Sequence, residues 1–415
     1  MKIAFLPQSY TPMISGAALS AQQTAEGMAK RGHQVLVIAA SDREYPYHSY
    51  KDRLTVLRLS SFKNPLRVGQ RFLSFPQQRT MRVLAQFQPD LLHAHEPVQM
   101  GLLALKYASR AHIPATITAH QLPWFVASYL PAGSKPVVEY VLWLFARLTL
   151  RRYTSVIAPT KTIASIIEKM TGLKPDIIGN GLDLQTFHPR PPLDPGTAVR
   201  TQLNLPESVP IILHVGRLDA DKSVDKVIRA VAPVVRESEA HLLVVGDGRQ
   251  KNRLIQFCKI LGIEKKVHFA GFIQPADLPG VYRMANMFVT ASEIETQGIV
   301  LLEAAASGLP IVAFDTTCIH EIVRNRVNGF LIGPGNIQAF SNAIIALLND
   351  PQTAARMGAK GCKLAQEHDI RNTWEMHENL YQEVIKNFRF TGQRLRTRTS
   401  GKWNRELSRR RVGGA

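Results

Sequence analysis

Cysteine is scarce in this chain. Cys258, Cys318 and Cys362 are the only three in 415 residues, and their spacing pairs none of them. That excludes a disulfide scaffold and a zinc site of the CxxC type. Long apolar runs are also missing. No 18-residue stretch is both apolar and uncharged, so no spanning helix is expected. The best approach, Val137–Leu150, carries Glu139 and Arg147 and reads as an ordinary buried helix. Met1–Pro7 has one lysine and an apolar run broken at Pro7, shorter than a secretory signal core, so a cytosolic, reducing setting is the expectation. Acidic residues are short in particular regions. Residues 1–190 hold 22 Lys/Arg against 10 Asp/Glu, residues 191–385 hold 19 against 21, and residues 386–415 hold 10 against 1. The net charges are therefore +12, −2 and +9. An acidic partner, if there is one, meets the first region and the tail.

What is present points to two domains. The chain is 45% hydrophobic and 20% charged, a globular balance, and its length suits two cores of about 200 residues each. Ile3–Leu6, Val35–Ala39, Leu91–His93, Ala115–Thr118 and Val156–Ala158 read as buried strands. Ala17–Lys30, Pro97–Arg110, Lys135–Arg152 and Thr160–Met170 have helical period between them. The alternation restarts at Ile211–Val215 and continues through Leu242–Val245, Val267–Ala270, Phe288–Thr290 and Ile311–Phe314. Such alternation predicts parallel βαβ units. Four prolines between Pro189 and Pro195 make a semi-rigid connector. The expected fold is α/β, two facing Rossmann-like doubly wound domains. Residues 1–190 form the acceptor-side domain and 191–370 the donor domain. Residues 371–388 form a helix crossing back to the first domain, and 389–415 a basic, disordered tail.

In doubly wound sheets ligands sit outside the carboxyl ends of the strands. After Ile211–Val215 come Gly216, Arg217 and, entering a helix, Lys222. A planar fork and a point charge at a strand end can hold a diphosphate; alone, they also read as a loop of solvated charges. The sharper signal is Ser292–Glu303, which follows a strand and opens an apolar helix. Seven residues separate Glu295 from Glu303. Gly298 lets a backbone approach closely. The free N–H groups around Gln297, Gly298, Ile299 and Val300 suit an anion. Carboxylates accept several hydrogen bonds from sugar hydroxyls. Glu293, by contrast, reads as a charge that only complements the helix dipole. Asp219-Ala220-Asp221 is a DxD triplet, but Arg217 and Lys222 already supply the charge a metal would bring, so no metal is expected.

The E-x7-E segment, Gly216-Arg217 with Lys222, Gly246-Asp247-Gly248 and Asn180-Gly181-Leu182-Asp183 with Phe187 occur in order. Together they resemble glycosyltransferase family four, retaining enzymes of the GT-B fold, over roughly residues 1–385. The resemblance implies that Glu303 binds the donor ribose and Glu295 the donor sugar hydroxyls. It implies that Arg217 and Lys222 hold the diphosphate, and that Gly246 and the Phe272–Ile273 strand end flank the nucleobase. Glu295-Thr296-Gln297-Gly298 departs from the commoner Glu-Gly-Phe-Gly. It looks like the variant of glycosyltransferases acting on diacylglycerol or related membrane lipids.

In the first domain, Ser15-Gly16 opens a helix after the first strand, where family members carry a Gly-Gly pair; only Gly16 is carried over, as a donor-binding residue where backbone N–H groups suit a phosphate or a sugar. Capping by Ser15 explains the position equally well. His120 stands at the end of Ala115–Thr118, and the resemblance assigns it to the donor sugar. His95 is a candidate acceptor-pocket residue, and His93 reads as structural. Two surfaces mix cations and aromatics: Arg58–Leu73, and Leu122–Leu130 with Trp124 and Phe125. Such mixtures suit a membrane interface, although Arg58–Leu73 reads equally as a solvated loop.

The expectation is a metal-independent retaining glycosyltransferase with no cofactor. It moves a hexose such as glucose from a nucleotide-diphospho-sugar, a UDP-sugar favoured, to a membrane lipid hydroxyl such as diacylglycerol. It would act as a cytoplasmic protein held peripherally on an anionic membrane by the basic first domain and tail. One alternative acceptor is a soluble sugar or a polyprenyl-linked glycan. A reading of another class is a polyanion-binding protein on a degenerate transferase fold. No nucleic-acid module accompanies the basic tail, so no specific nucleic-acid partner is expected.

Overall fold

The computed structural model describes residues 1–13, 15–43, 45–63, 71–74, 76–120, 122–123, 132–189 and 197–390. Two sheets organise them. The first has eight strands, in the order Asp176–Ile177, Ser155–Ala158, Ala115–Thr118, Leu91–Ala94, Lys2–Leu6, Gln34–Ala40, Leu54–Leu59 and Tyr47–Lys51. All its pairings are parallel except the last. The second has six parallel strands, ordered Val267–Gly271, His241–Val245, Ile211–Val215, Met287–Thr290, Ile311–Phe314 and Gly329–Ile332. The strands are short and apolar because helices cover both faces.

The strand orders locate the sites. In the first sheet the chain starts at Lys2–Leu6, winds to one side, then returns to Leu91–Ala94 on the other. In the second it starts at Ile211–Val215, winds outward, then returns to Met287–Thr290 on the opposite side. At each reversal two successive loops diverge and leave a crevice at the strands' carboxyl ends. The crevice of the second sheet is bounded by Gly216–Lys222 and Ala291–Gly298. That of the first is bounded by the loop leading to Gly16 and the loop carrying His95.

Residues 370–390 form a helix that ends on the first sheet. Tyr381, Val384 and Ile385 share one apolar cluster with Ile3, Phe5, Val35 and Val37. Trp374 lies seven residues before Tyr381, two turns back along the helix, packs against the same cluster and donates from Nε1 to Gln23 O at 2.9 Å. Gly27 makes room for it, since a Cβ there would lie 2.2 Å from the indole. Glu378 pairs with Arg31 and, at 2.7 Å, with His33. Residues 391–415 lie outside the described residues, as do Trp124 and Phe125.

Two surface expectations need correction. The helix Lys135–Leu150 is not enclosed. Trp143, Ala146, Thr149 and Leu150 face the core. Val137, Tyr140, Val141, Leu144, Phe145 and Leu148 are between 40% and 72% exposed. The fold offers a partner to one face of this helix, and the apolar residues of the other faces stay exposed. Arg58, expected among interfacial cations, is buried in the strand Leu54–Leu59. Its guanidinium donates to the carbonyls of Thr11 and, at 3.2 Å, Ala40, and lies 5.0 Å from the Tyr10 ring centroid. Further along, Ser61–Lys63 and Arg71–Leu73 pair as a hairpin with Phe62 and Phe72 exposed on it.

Candidate active site

The donor-side site is built on glycines that let loops touch. Gly246 has φ +128°, and a Cβ on it would lie 1.9 Å from Gly216 O. Only glycine permits both the conformation and the approach. Gly246 thereby seats the Gly246–Gly248 loop against the Gly216–Leu218 turn. Arg217 then reaches two carboxylates at once: Nη1 pairs with Asp219 Oδ2, and Nη2 with Asp221 Oδ2 at 2.8 Å. Asp219 Oδ1 also accepts from Arg249 N at 3.2 Å.

Lys222 crosses the crevice. Its Nζ lies 2.5 Å from Glu295 Oε1, 3.3 Å from Ser292 Oγ and 3.5 Å from Ile294 O. Glu295 is held from behind as well, since Cys318 Sγ contacts its carbonyl at 3.4 Å and Thr316 Oγ1 donates to Ser292 O at 2.6 Å. Glu293 instead pairs with Lys226 away from the crevice. Gly298, at φ +81°, turns the loop into the helix Ile299–Ala306. Glu303 lies one turn further on and is buried. Tyr282 Oη donates to its Oε2 at 2.7 Å. Burial raises the Glu303 carboxyl from 4.5 to about 7, against the opposing effect of the tyrosine bond. A carboxylate one turn inside the helix, beside its N-terminal amide groups, can accept from vicinal hydroxyls.

Ile273 and Phe272 line a cavity of about 240 Å³ with Leu203, Gln274 and Val281, at the end of the strand Val267–Gly271.

The first domain meets this site directly. A Cβ on Gly16 would sit 3.7 Å from Ile299 Cδ1, so the start of the helix Gly16–Lys30 faces the start of the helix Ile299–Ala306 in the second domain. Ser15 does cap the helix Gly16–Lys30, its Oγ accepting from Ala18 N at 3.1 Å. Val300 packs against the second domain's core. Gln297, expected among the donor-binding residues, spends its side-chain amide on Asn180. Oε1 accepts Asn180 N at 2.6 Å and Nε2 donates to Asn180 O at 3.0 Å.

His120 is buried, and its Nε2 lies 3.0 Å from His95 Nδ1, with the rings stacked 3° from parallel. Burial lowers His120 from 6.5 to about 4 and pushes His95 well below its ordinary value. Both are therefore neutral imidazoles near pH 7 and share one proton between the two nitrogens. His93 is enclosed by Tyr381 Oη at 2.6 Å and Thr118 Oγ1 at 2.8 Å. These partners place it in the packing between the first sheet and the returning helix.

Several site residues escaped sequence reasoning. Tyr282, the partner of Glu303, sits on an amphipathic helix and looks like any core tyrosine. Thr316 and Cys318 act on backbone carbonyls, and Ser292 Oγ meets Lys222 from another loop, contacts that no spacing rule exposes. No group of three or more metal-ligating side chains occurs among the described residues.

Two switch-point crevices facing each other, one lined by paired carboxylates and cations, define a sugar-transferring enzyme of the GT-B class. Comparison with known proteins gives the family. The model for Glycosyl transferases group 1 matches residues 197–364, and that for Glycosyltransferase Family 4 matches residues 14–186. The chain belongs to glycosyltransferase family four. An α-monoglucosyldiacylglycerol synthase of Streptococcus pneumoniae is 26% identical over 335 residues, 80% of this chain and 75% of its own length. A D-inositol 3-phosphate glycosyltransferase of Gordonia bronchialis is 29% identical over 411 residues, 92% of this chain and 87% of its own. Among solved structures, sucrose-phosphate synthase from Thermosynechococcus elongatus superposes with a TM-score of 0.78 at 21% identity, covering 93% of this chain and all of the other. The Anabaena protein HepE bound to UDP-glucose gives 0.73 at 22%, covering 93% of this chain and all of the other.

Proposed function

We propose that the protein is a retaining hexosyltransferase that moves a sugar such as glucose from a nucleotide-diphospho-sugar, with uridine the favoured base, to the hydroxyl of a membrane lipid such as diacylglycerol. The donor fits the second domain's crevice. Glu303 accepts from the ribose hydroxyls, and Arg217, Lys222 and the amide groups of Gly298–Val300 meet the diphosphate. Glu295 accepts from the sugar hydroxyls. Departure of the diphosphate leaves positive character at the anomeric carbon, and the cations and helix N-terminus stabilise the leaving charge. His120, kept neutral by burial, orients the sugar without adding a positive charge beside the developing cation. No second carboxylate is placed as a nucleophile, so the usual pair of retaining hydrolases does not apply, and attack on the leaving group's own face is the route. Arg217 occupies both carboxylates of the DxD triplet, which supports chemistry without a divalent ion. HepE, whose structure holds UDP-glucose, supports uridine in the base cavity.

One observation carries the lipid acceptor: the exposed face of the helix Lys135–Leu150, on the domain that must receive the acceptor. Val137, Tyr140, Val141, Leu144 and Leu148 form a stripe that water does not favour. Lys135, Arg147, Arg151 and Arg152 flank it, the pattern that lies in a lipid interface. The named relative in Streptococcus pneumoniae agrees with this acceptor class. The test is incubation with labelled nucleotide-sugars and either diacylglycerol vesicles or soluble sugars. Label in the lipid phase supports the reading. Transfer only to a soluble sugar overturns the acceptor, and no hydrolysis or transfer of any nucleotide-sugar overturns the donor.

A further inference from the structure

Gln297 stands in the donor loop but is 2% exposed and spends both ends of its amide on the other domain. It reads the Asn180 peptide as a neighbouring strand would, accepting from the N–H and donating to the C=O. The fit extends to the next residue. A Cβ on Gly179 would lie 2.9 Å from Gln297 Nε2, so glycine there keeps the slot open. Beside it, Thr160 Oγ1 donates to Thr296 O at 3.2 Å. Two successive donor-loop residues are thus tied to the first domain, one residue after the sugar-binding Glu295 and one before the turn at Gly298. Among side chains, only an amide of this length supplies both a donor and an acceptor here. Glutamate supplies acceptors alone, and leucine neither.

We propose that Gln297 is a positioning residue that registers the donor loop against the first domain, so that Glu295 and His120 hold a fixed separation across the cleft. This rests on the reading of Glu295 and His120 as sugar-orienting groups. The nucleotide is held within the second domain, so its binding does not depend on the register. Sugar transfer, which needs both domains, does.

The experiment uses the full chain, UDP affinity by calorimetry and hydrolysis of UDP-glucose, which needs no acceptor. Gln297→Leu should leave UDP affinity within about twofold and lower kcat about tenfold or more, since two buried hydrogen bonds are lost. Gly179→Ala should act in the same direction from the other side of the contact. Gln297→Glu gives a signature that mere loss of stability does not. Its carboxyl must be protonated to donate to Asn180 O, so its kcat relative to wild type should rise about fivefold or more from pH 8 to pH 5.5. The Gln297→Leu ratio should stay flat. Wild-type turnover in Gln297→Leu, a matching loss of UDP affinity and kcat, or a flat Gln297→Glu ratio each overturns the proposal. If wild type itself neither binds nor hydrolyses the donor, the functional reading fails instead. Small-angle scattering then decides for Gln297: identical interdomain distance distributions in wild type and Gln297→Leu overturn the register, and a broadened one in the variant upholds it.

Discussion

Lys222 Nζ and Glu295 Oε1 lie 2.5 Å apart, joining the two loops that diverge at the switch point of the second sheet. Each side chain is less than a fifth exposed, so each is the other's principal counter-charge. Lys222→Ala removes the proposed diphosphate contact and also leaves Glu295 an unpaired, part-buried carboxylate. The expected loss in kcat/KM is on the order of 100-fold, at the upper end of what one charged hydrogen bond contributes. Glu295→Gln should cost a similar factor. The double variant should cost far less than the product of the two, because the second change removes the orphaned partner. Steady-state kinetics on all three would settle it; multiplicative losses would mean that the pair does not act as a unit.

Glu303 makes the site sensitive to pH. Its folded value is about 7, above the ordinary 4.5, and burial is the main cause. Between pH 4.5 and 7 the folded protein therefore holds a proton that the unfolded chain has released. Stability falls as pH rises through that window and levels off above it. The contribution is on the order of 3 kcal/mol. Glu303→Gln keeps an acceptor for Tyr282 and removes the buried charge. It should melt higher than wild type at pH 8 and match it near pH 4.5, while losing most donor affinity. Parallel melting curves for the two proteins across this range would contradict the assignment.

Donor binding should show the same group with the opposite preference. Ribose hydroxyls need the charged carboxylate as acceptor, so nucleotide affinity should decline as pH falls below about 7. Binding at neutral pH should release a proton from Glu303. Calorimetry in buffers of different ionisation enthalpy measures that release directly. No buffer dependence in wild type, or an unchanged dependence in Glu303→Gln, would remove the carboxyl from the nucleotide site.

Activity should survive EDTA. Arg217 bridges Asp219 and Asp221, and Asp219 also accepts from Arg249 N. A divalent ion would have to displace a guanidinium from both carboxylates. Turnover that collapses on chelation and returns with magnesium or manganese would make the two aspartates ligands.

The α/β fold was legible in the sequence because short apolar runs alternate with amphipathic segments, and that alternation depends on local burial alone. The E-x7-E spacing was legible because both carboxylates ride on one strand-to-helix turn. Other features depend on contacts between distant residues. Leu54–Leu59 contains Arg58, whose charge suggested a surface until Thr11 and Ala40 carbonyls were seen to surround it. Gln297 looked like one more helix-start amide, and only the fold brings Asn180, 117 residues away, against it. Val137–Leu150 looked buried because composition records apolarity but not which face finds a partner.

That exposed face yields the last prediction. The basic first domain and tail were expected to carry membrane binding, together with the mixed cation and aromatic surfaces at Arg58–Leu73 and Leu122–Leu130. The structure adds an apolar stripe on Lys135–Leu150, flanked by cations, and exposed Phe62 and Phe72 on the hairpin of the same domain. Two energies then act together. Cations near an anionic leaflet contribute about 1 kcal/mol each and are screened beyond about 8 Å at physiological salt. Burying the stripe contributes an apolar term that salt does not screen. Leu144→Glu with Leu148→Glu should therefore abolish the salt-resistant part of vesicle binding. Truncation after Phe390 removes most of the net +9 of residues 386–415. It should reduce only the salt-sensitive part, on anionic vesicles and not on neutral ones. UDP affinity should be unchanged in every variant, because the proposed nucleotide site lies in the other domain. Sedimentation with neutral and anionic vesicles at low and high salt separates the two terms. Equal binding of wild type and the double glutamate variant under all conditions would leave the stripe without a role at the membrane, and a soluble acceptor would then fit the protein better.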